Sequence, residues 1–121
     1  MADPRHQLGR RAEDAVAAWL VRRGWVVLAR RWRSSRGELD LVCVDDRRTL
    51  VAVEVKLRRT GRAGTGAEAL DRRRLVRLRH ALAEYAARSE TPWSGLRIDL
   101  VTATPADDAW RLSRMAAVDQ W

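Results

Sequence analysis

With 121 residues the chain has room for one domain, residues 1–121, built on a single core. Its 24 Lys and Arg against 16 Asp and Glu leave a net charge of +8 and a pI near 11.3, which points to a polyanionic partner, most simply nucleic acid. No apolar run reaches membrane-spanning length, the lone Cys43 excludes an internal disulfide and a cysteine-based zinc site, and MADPRHQLGRR lacks the apolar stretch of a secretory signal. A soluble, cytoplasmic protein with no membrane partner is therefore expected.

Asp3-Pro4 reads as a helix start, because aspartate can cap unpaired N–H groups and proline fits a first turn where its missing N–H costs nothing. Leu8, Ala12, Ala15, Val16, Trp19 and Leu20 recur at helical spacing, predicting one amphipathic helix over Arg5 to Arg23 that Gly24 ends. Glu13 falls on the flank of that apolar stripe, and Asp14 on its solvated side. Trp25 to Arg33 predicts a first strand, with β-branched and aromatic residues at its start. Arg30, Arg31, Arg33 and Arg36 follow around Trp32. That mixture suits phosphate contact with base stacking, and equally a solvated edge with one core tryptophan.

Arg36 to Arg58 holds two apolar runs, Leu39 to Val44 and Leu50 to Leu57, joined by the polar turn Asp45-Asp46-Arg47-Arg48. Apolar residues stand at both parities, so both faces of this hairpin are expected to be covered. Asp40, Glu54 and Lys56 interrupt the runs. Folding the hairpin around Asp46 to Arg48 sets Val44 opposite Leu50, Val42 opposite Ala52 and Asp40 opposite Glu54. Opposed side chains lie roughly 4.5–5.5 Å apart at Cβ. Two carboxylates so placed among apolar neighbours repel unless a cation sits between them, and hard oxygen donors suit Mg²⁺ or Mn²⁺. Lys56 is the only lysine among the 24 basic residues, a compact charge with an adjustable pKa beside the pair.

Arg58 to Gly66 is rich in glycine and arginine and predicts a flexible basic loop that closes on phosphates. Asp71 is the expected N-cap of a second helix reaching about Ser89, with Leu75, Leu78, Leu82, Tyr85 and Ala86 on one face. Arg72, Arg73 and Arg74 occupy its first turn, the unfavourable end of the helix dipole for cations, which suggests that an anion is expected there. Thr91 to Gly95 reads as a turn, Leu96 to Ala103 as a fourth strand interrupted by Asp99, Thr104 to Asp108 as a turn, and Trp110 to Met115 as an edge strand. Asp99 is expected to pair with an arginine. The order αβββαβ, with that extra edge strand, predicts an α/β fold in which helices flank a mixed sheet.

Gly37-Glu38-Leu39-Asp40-Leu41-Val42 followed by Val53-Glu54-Val55-Lys56 resembles the PD-(D/E)xK nuclease motif, and more closely the YraN-like family of that superfamily. The match covers nearly the whole chain. The resemblance implies a restriction-endonuclease-like core. It places Glu13 at the family's helix glutamate, which completes the metal or water site, and Arg74 at a basic position that is commonly lysine. Arg31 stands where the family more often has asparagine. On this reading the chain is a metal-dependent endonuclease: Asp40, Glu54 and the Val55 carbonyl hold Mg²⁺ or Mn²⁺, with Glu13 binding directly or through water, and Lys56 positions or deprotonates the attacking water. Arg33, Arg36, Arg58, Arg59, Arg62, Arg72, Arg73 and Arg74 grip the nucleic acid. Branched DNA is suggested by analogy with similar resolvases, and such a substrate would favour a homodimer. The competing reading is a non-catalytic nucleic-acid-binding module with a vestigial nuclease fold.

Overall fold

The computed structural model describes residues 3–59 and 71–119. In chain order the elements are α1 (Pro4–Arg22), β1 (Val26–Arg33), β2 (Glu38–Val44), β3 (Thr49–Leu57), α2 (Arg72–Arg88), β4 (Gly95–Ala106) and β5 (Ala109–Met115). The strands form one sheet in the order β1-β2-β3-β4-β5, with β3 and β4 parallel and the other neighbours antiparallel. The mixed α/β sheet expected from the sequence is present, with the extra strand at its edge.

Both helices start at the expected caps. Asp3 accepts from the Arg5 N–H at 2.9 Å with Pro4 next in the chain, and Asp71 accepts from the Arg74 N–H at 2.8 Å. Gly24 follows α1 at φ 90°, a left-handed conformation that a side chain resists. The helices cover opposite faces of the sheet. Ala12, Val16, Ala17 and Leu20 of α1 pack with Leu41, Cys43, Val51, Val53 and Val101, while Leu75, Leu78, Ala81 and Leu82 of α2 pack with Val42, Leu50, Ala52, Ile98 and Leu100. Burying a Leu, Ile or Val side chain fully is worth about 1.5–3 kcal/mol, so these two layers stabilise the helices more than propensity does.

The β2–β3 turn is closed by Asp45, which accepts from the N–H groups of Arg47 and Thr49 at 2.9 Å each and from Arg97 at 3.0 Å. Burial pushes its pKa up, but those N–H donors and the guanidinium outweigh burial and hold it below the usual carboxylate value. β4 is longer than the sequence suggests: it continues through Thr104 and Pro105 to Ala106, and only Asp107 and Asp108 make the turn. Proline is tolerated there because of which way the backbone points. Ala103 accepts from the Arg58 N–H on the β3 side at 2.9 Å, and Pro105, two residues on, directs its missing N–H past the end of β3.

Besides the bulge between Val27 and Ala29, the alternation of side chains breaks at one further place in the first two strands. Ala29 and Trp32 of β1 are three residues apart yet pack on the same α2 side, and so do Leu39 and Val42 of β2. Strict alternation would separate them. Among the residues between are Arg31, at φ 47°, and Asp40, which falls opposite it between the Arg30–Leu41 and Trp32–Leu39 pairs. Both strands therefore change face at this pair. A non-glycine residue in the left-handed region costs on the order of 1 kcal/mol, which asparagine largely avoids. Arg31→Asn is expected to raise stability by about 0.5–1 kcal/mol in urea unfolding.

Candidate active site

The hairpin register is the one anticipated, with Val42 paired to Ala52 and Val44 to Leu50, but the ladder stops at Leu41–Val53, one residue before the acids. Freed from the ladder, Asp40 turns its carboxylate to the next strand, where Oδ2 accepts from the Val55 N–H at 2.9 Å. In an extended strand the N–H and C=O of one residue point to the same edge, so the Val55 carbonyl points to this seam as well. Glu54 shares the α2 side of β3 with Leu50 and Ala52 and is 2 % exposed. Both of its carboxylate oxygens are buried with no hydrogen-bond donor among the described residues. The Asp40 carboxylate is within hydrogen-bonding reach, but it too is an acceptor. Burial, then the charge of Asp40, push the Glu54 pKa well above the usual value, while Arg74 pulls the other way.

Glu13 approaches from α1. Burial, then Asp40, raise its pKa, and Arg31, with Nε 3.5 Å from Oε1, opposes the rise. The change of face at Arg31 and Asp40 thus puts one carboxylate between two others that arrive from different layers. Among the described residues no three His, Cys, Asp or Glu side chains converge as a metal-holding group. The close couple is Asp40 and Glu54, with Glu13 at electrostatic rather than contact range. Lys56 lies next along β3, partly buried. Burial, then Arg58 and Arg74, lower its pKa, against the opposing pull of Asp40.

The expected basic residues divide. Arg74 faces the acids, since it acts on both Glu54 and Lys56. Arg36, in the β1–β2 connection, lines a cleft with Arg74. Arg33 is exposed and 3.5 Å from Glu38. Arg59, Arg72 and Arg73 are exposed, and Arg58 is half-buried. Arg62 and the rest of the glycine–arginine loop from residue 60 lie outside the described residues. Trp32 is occupied in the α2-side core, edge-on to Tyr85 at 5.2 Å, so burial accounts for it without base stacking. Cys43 is buried in the α1-side core, which with the nearby Asp99 pushes its thiol up to about 12 and leaves it inert. Asp99 pairs with arginines as expected, but on the α1 side of the sheet, away from Glu54. Sequence reading missed Arg77, which lines the same cleft as Arg36 and Arg74; its spacing of three from Arg74 was the available signal.

A five-stranded mixed sheet with a helix on each face, and an acid pair beside a lysine near the end of its central hairpin, defines an α/β protein consistent with a restriction-endonuclease-like core. The family model described as "Uncharacterised protein family UPF0102" matches residues 12–103, a span that includes Glu13, Asp40, Glu54, Lys56 and Arg74. A UPF0102 protein of Herpetosiphon aurantiacus is 37% identical over 122 residues, covering 98% of each chain. One from Roseiflexus castenholzii is 44% identical over 105 residues (84% of this chain, 82% of the relative), and one from Bifidobacterium longum is 39% identical over 98 residues (79% of each). The chain belongs to the UPF0102, or YraN-like, family. Among the described residues no helix is long and apolar enough to cross a membrane.

Proposed function

We propose that this chain is a metal-dependent endonuclease that hydrolyses phosphodiester bonds in nucleic acid, with DNA as the favoured substrate. The observation that carries the proposal is Glu54: a buried carboxylate with two unpartnered oxygens, facing a second carboxylate. A buried charge without a partner costs several kcal/mol, and a divalent cation between the acids removes that cost. Two carboxylates and a strand carbonyl are hard oxygen donors, few in number, which suits an ion that keeps several of its waters. Mg²⁺ or Mn²⁺ would be held by Asp40, Glu54 and the Val55 carbonyl, with Glu13 reaching it through water. When bound, the ion polarises the phosphate and offsets the negative charge that develops during hydrolysis.

The chain's own groups supply the rest. Lys56, with its lowered pKa, orients a water against phosphorus and in its neutral form accepts the proton as the P–O bond forms; the opposite P–O bond breaks, and the leaving oxygen takes its proton from solvent. Arg74 neutralises charge on the phosphate, and the exposed arginines hold the flanking backbone, so binding should weaken steeply with salt. A branched substrate with two-fold symmetry would engage two copies of the chain.

Cleavage of duplex, single-stranded, junction, flap and RNA substrates, titrated with Mg²⁺ and Mn²⁺, tests the reading. The cleavage rate should rise with pH and level off below 10.5, the ordinary lysine value, because burial and its arginine neighbours make Lys56 give up its proton early. Lys56→Arg keeps the charge but cannot be deprotonated in this range, and should be slower by about 10²–10⁴-fold with the pH rise abolished. Undiminished cleavage by that variant would overturn the role of Lys56. Binding with no cleavage under any metal, and no metal response in tryptophan fluorescence, would instead assign a non-catalytic nucleic-acid-binding module.

A further inference from the structure

The β1–β2 connection and the first turns of α2 enclose a cleft of about 190 Å³ lined by Arg36, Gly37, Glu38, Arg74, Arg77 and Leu78. Resting on the nuclease reading above, we infer that this cleft seats the phosphodiester adjacent to the one that reacts, with Arg36 and Arg77 closing on it from opposite sides.

Arg74 links the two sites: it lines the cleft and its charge is felt at Glu54 and Lys56, while Glu38 of the cleft wall stands two residues before Asp40 on β2. Residues three apart on a helix have Cβ atoms about 5–6 Å apart on one face. Arg74 can therefore serve the reacting phosphate while Arg77 reaches its neighbour. Among the described residues the cleft also lacks internal neutralisation: Glu38 is the only acid in its lining and lies 3.5 Å from Arg33, whereas the Arg36 and Arg77 side chains make no ion pair. Cations gathered without counter-ions are a site for an external anion.

The cleft is held in shape before any ligand arrives. Ser35 donates to Glu84 of α2 through its N–H at 3.1 Å and its hydroxyl at 3.0 Å, which ties the loop carrying Arg36 to the helix carrying Arg77. The Ser34 N–H and hydroxyl both donate to the Gly37 carbonyl, at 2.8 and 2.6 Å, and close the turn. Gly37 itself, at φ 145°, takes a conformation that other residues resist. Among the described residues no aromatic ring lines the cleft, so it offers a base no stacking surface, and a contact to phosphate carries no sequence information.

The test measures binding rather than cleavage. In an Asp40→Asn background with Mg²⁺ present, anisotropy of a labelled DNA duplex gives affinity at several salt concentrations. Arg36→Ala and Arg77→Ala should each weaken binding about 10-fold, and each should lower the slope of log K against log salt by about 0.9, the value of one phosphate contact. Because both side chains hold one phosphate, the double variant should lose no more slope than either single variant. Single variants with unchanged slopes, or a double variant that loses two contacts, would overturn the cleft assignment while the nuclease reading stands. A parent that binds neither duplex, single-stranded, junction, flap nor RNA probes at any salt concentration would sink both.

Discussion

Asn in place of Asp40 should lower the cleavage rate by at least about 10³-fold and, in metal-free buffer at a pH where Glu54 has lost its proton, raise the melting temperature. The two effects share one cause. Asp40 brings a negative charge to a buried carboxylate that has no donor of its own. An asparagine oxygen can still accept from the Val55 N–H, and its amide can donate to Glu54, so the repulsion becomes a hydrogen bond. Replacing an unsatisfied buried acceptor by a satisfied one is worth about 1–2 kcal/mol, and at this chain length that corresponds to roughly 5–10 °C.

The pH dependence follows from Glu54. Its pKa is raised above the ordinary 4.5, so between 4.5 and the raised value the folded protein keeps a proton that the unfolded chain has released. That contribution is fully present below 4.5 and is lost as pH climbs through the folded-state value, so wild-type stability without metal should decline over this window. The variant should decline less. Added Mg²⁺ should stabilise the wild type by mass action and leave the variant nearly unchanged. Thermal melts with and without metal, across pH, check each arm. A variant that melts lower than wild type in metal-free buffer, or that cleaves at the wild-type rate, would refute the assignment of the acid pair.

Loss of Asp99 should produce the largest drop in stability with the least effect on the site. Asp99 has no exposed surface and takes four donors: Arg97 Nε at 2.8 Å, Arg97 Nη2 at 3.1 Å, Arg114 Nη1 at 2.7 Å and the Ala117 N–H at 2.9 Å. Both guanidinium groups also lie over the Trp25 ring, Arg97 at 5.7 Å and Arg114 at 5.1 Å. Asp99→Ala leaves two cations side by side with their shared anion gone. Breaking a buried pair in this way costs about 3–5 kcal/mol, and the partial exposure of both arginines places the expected loss near the lower figure. The midpoint of urea unfolding should fall with its slope unchanged. Cleavage per folded molecule should persist, because Asp99 belongs to the α1 side of the sheet and Glu54 to the α2 side. A loss of activity in the folded variant would show that the two faces are coupled.

Much of the fold could be read along the chain because it depends on neighbours. Helix periodicity, the caps at Asp3 and Asp71, and the short polar turn at Asp45 act within a few residues of where they stand. Once that turn sets the hairpin register, Asp40 and Glu54 arrive at the same end of β2 and β3, although the ladder itself stops at Leu41–Val53. Even the position that changes face left a trace in the resemblance, which more often has asparagine there, a residue that tolerates the left-handed conformation Arg31 adopts.

Strand order decided the rest. Asp99 finds Arg114 only because β5 lies beside β4, and Pro105 could belong to a strand only because β3 has already ended next to it. The cleft joins Arg36 to Arg77 across 41 positions of sequence, held by the Ser35–Glu84 contact that no spacing rule encodes. Periodicity and turn chemistry are set by adjacent residues, so the sequence by itself determined the elements and the hairpin that carries the two acids. Which distant surfaces touch depends on how both layers bury their apolar faces together, and that was settled only when the sheet closed.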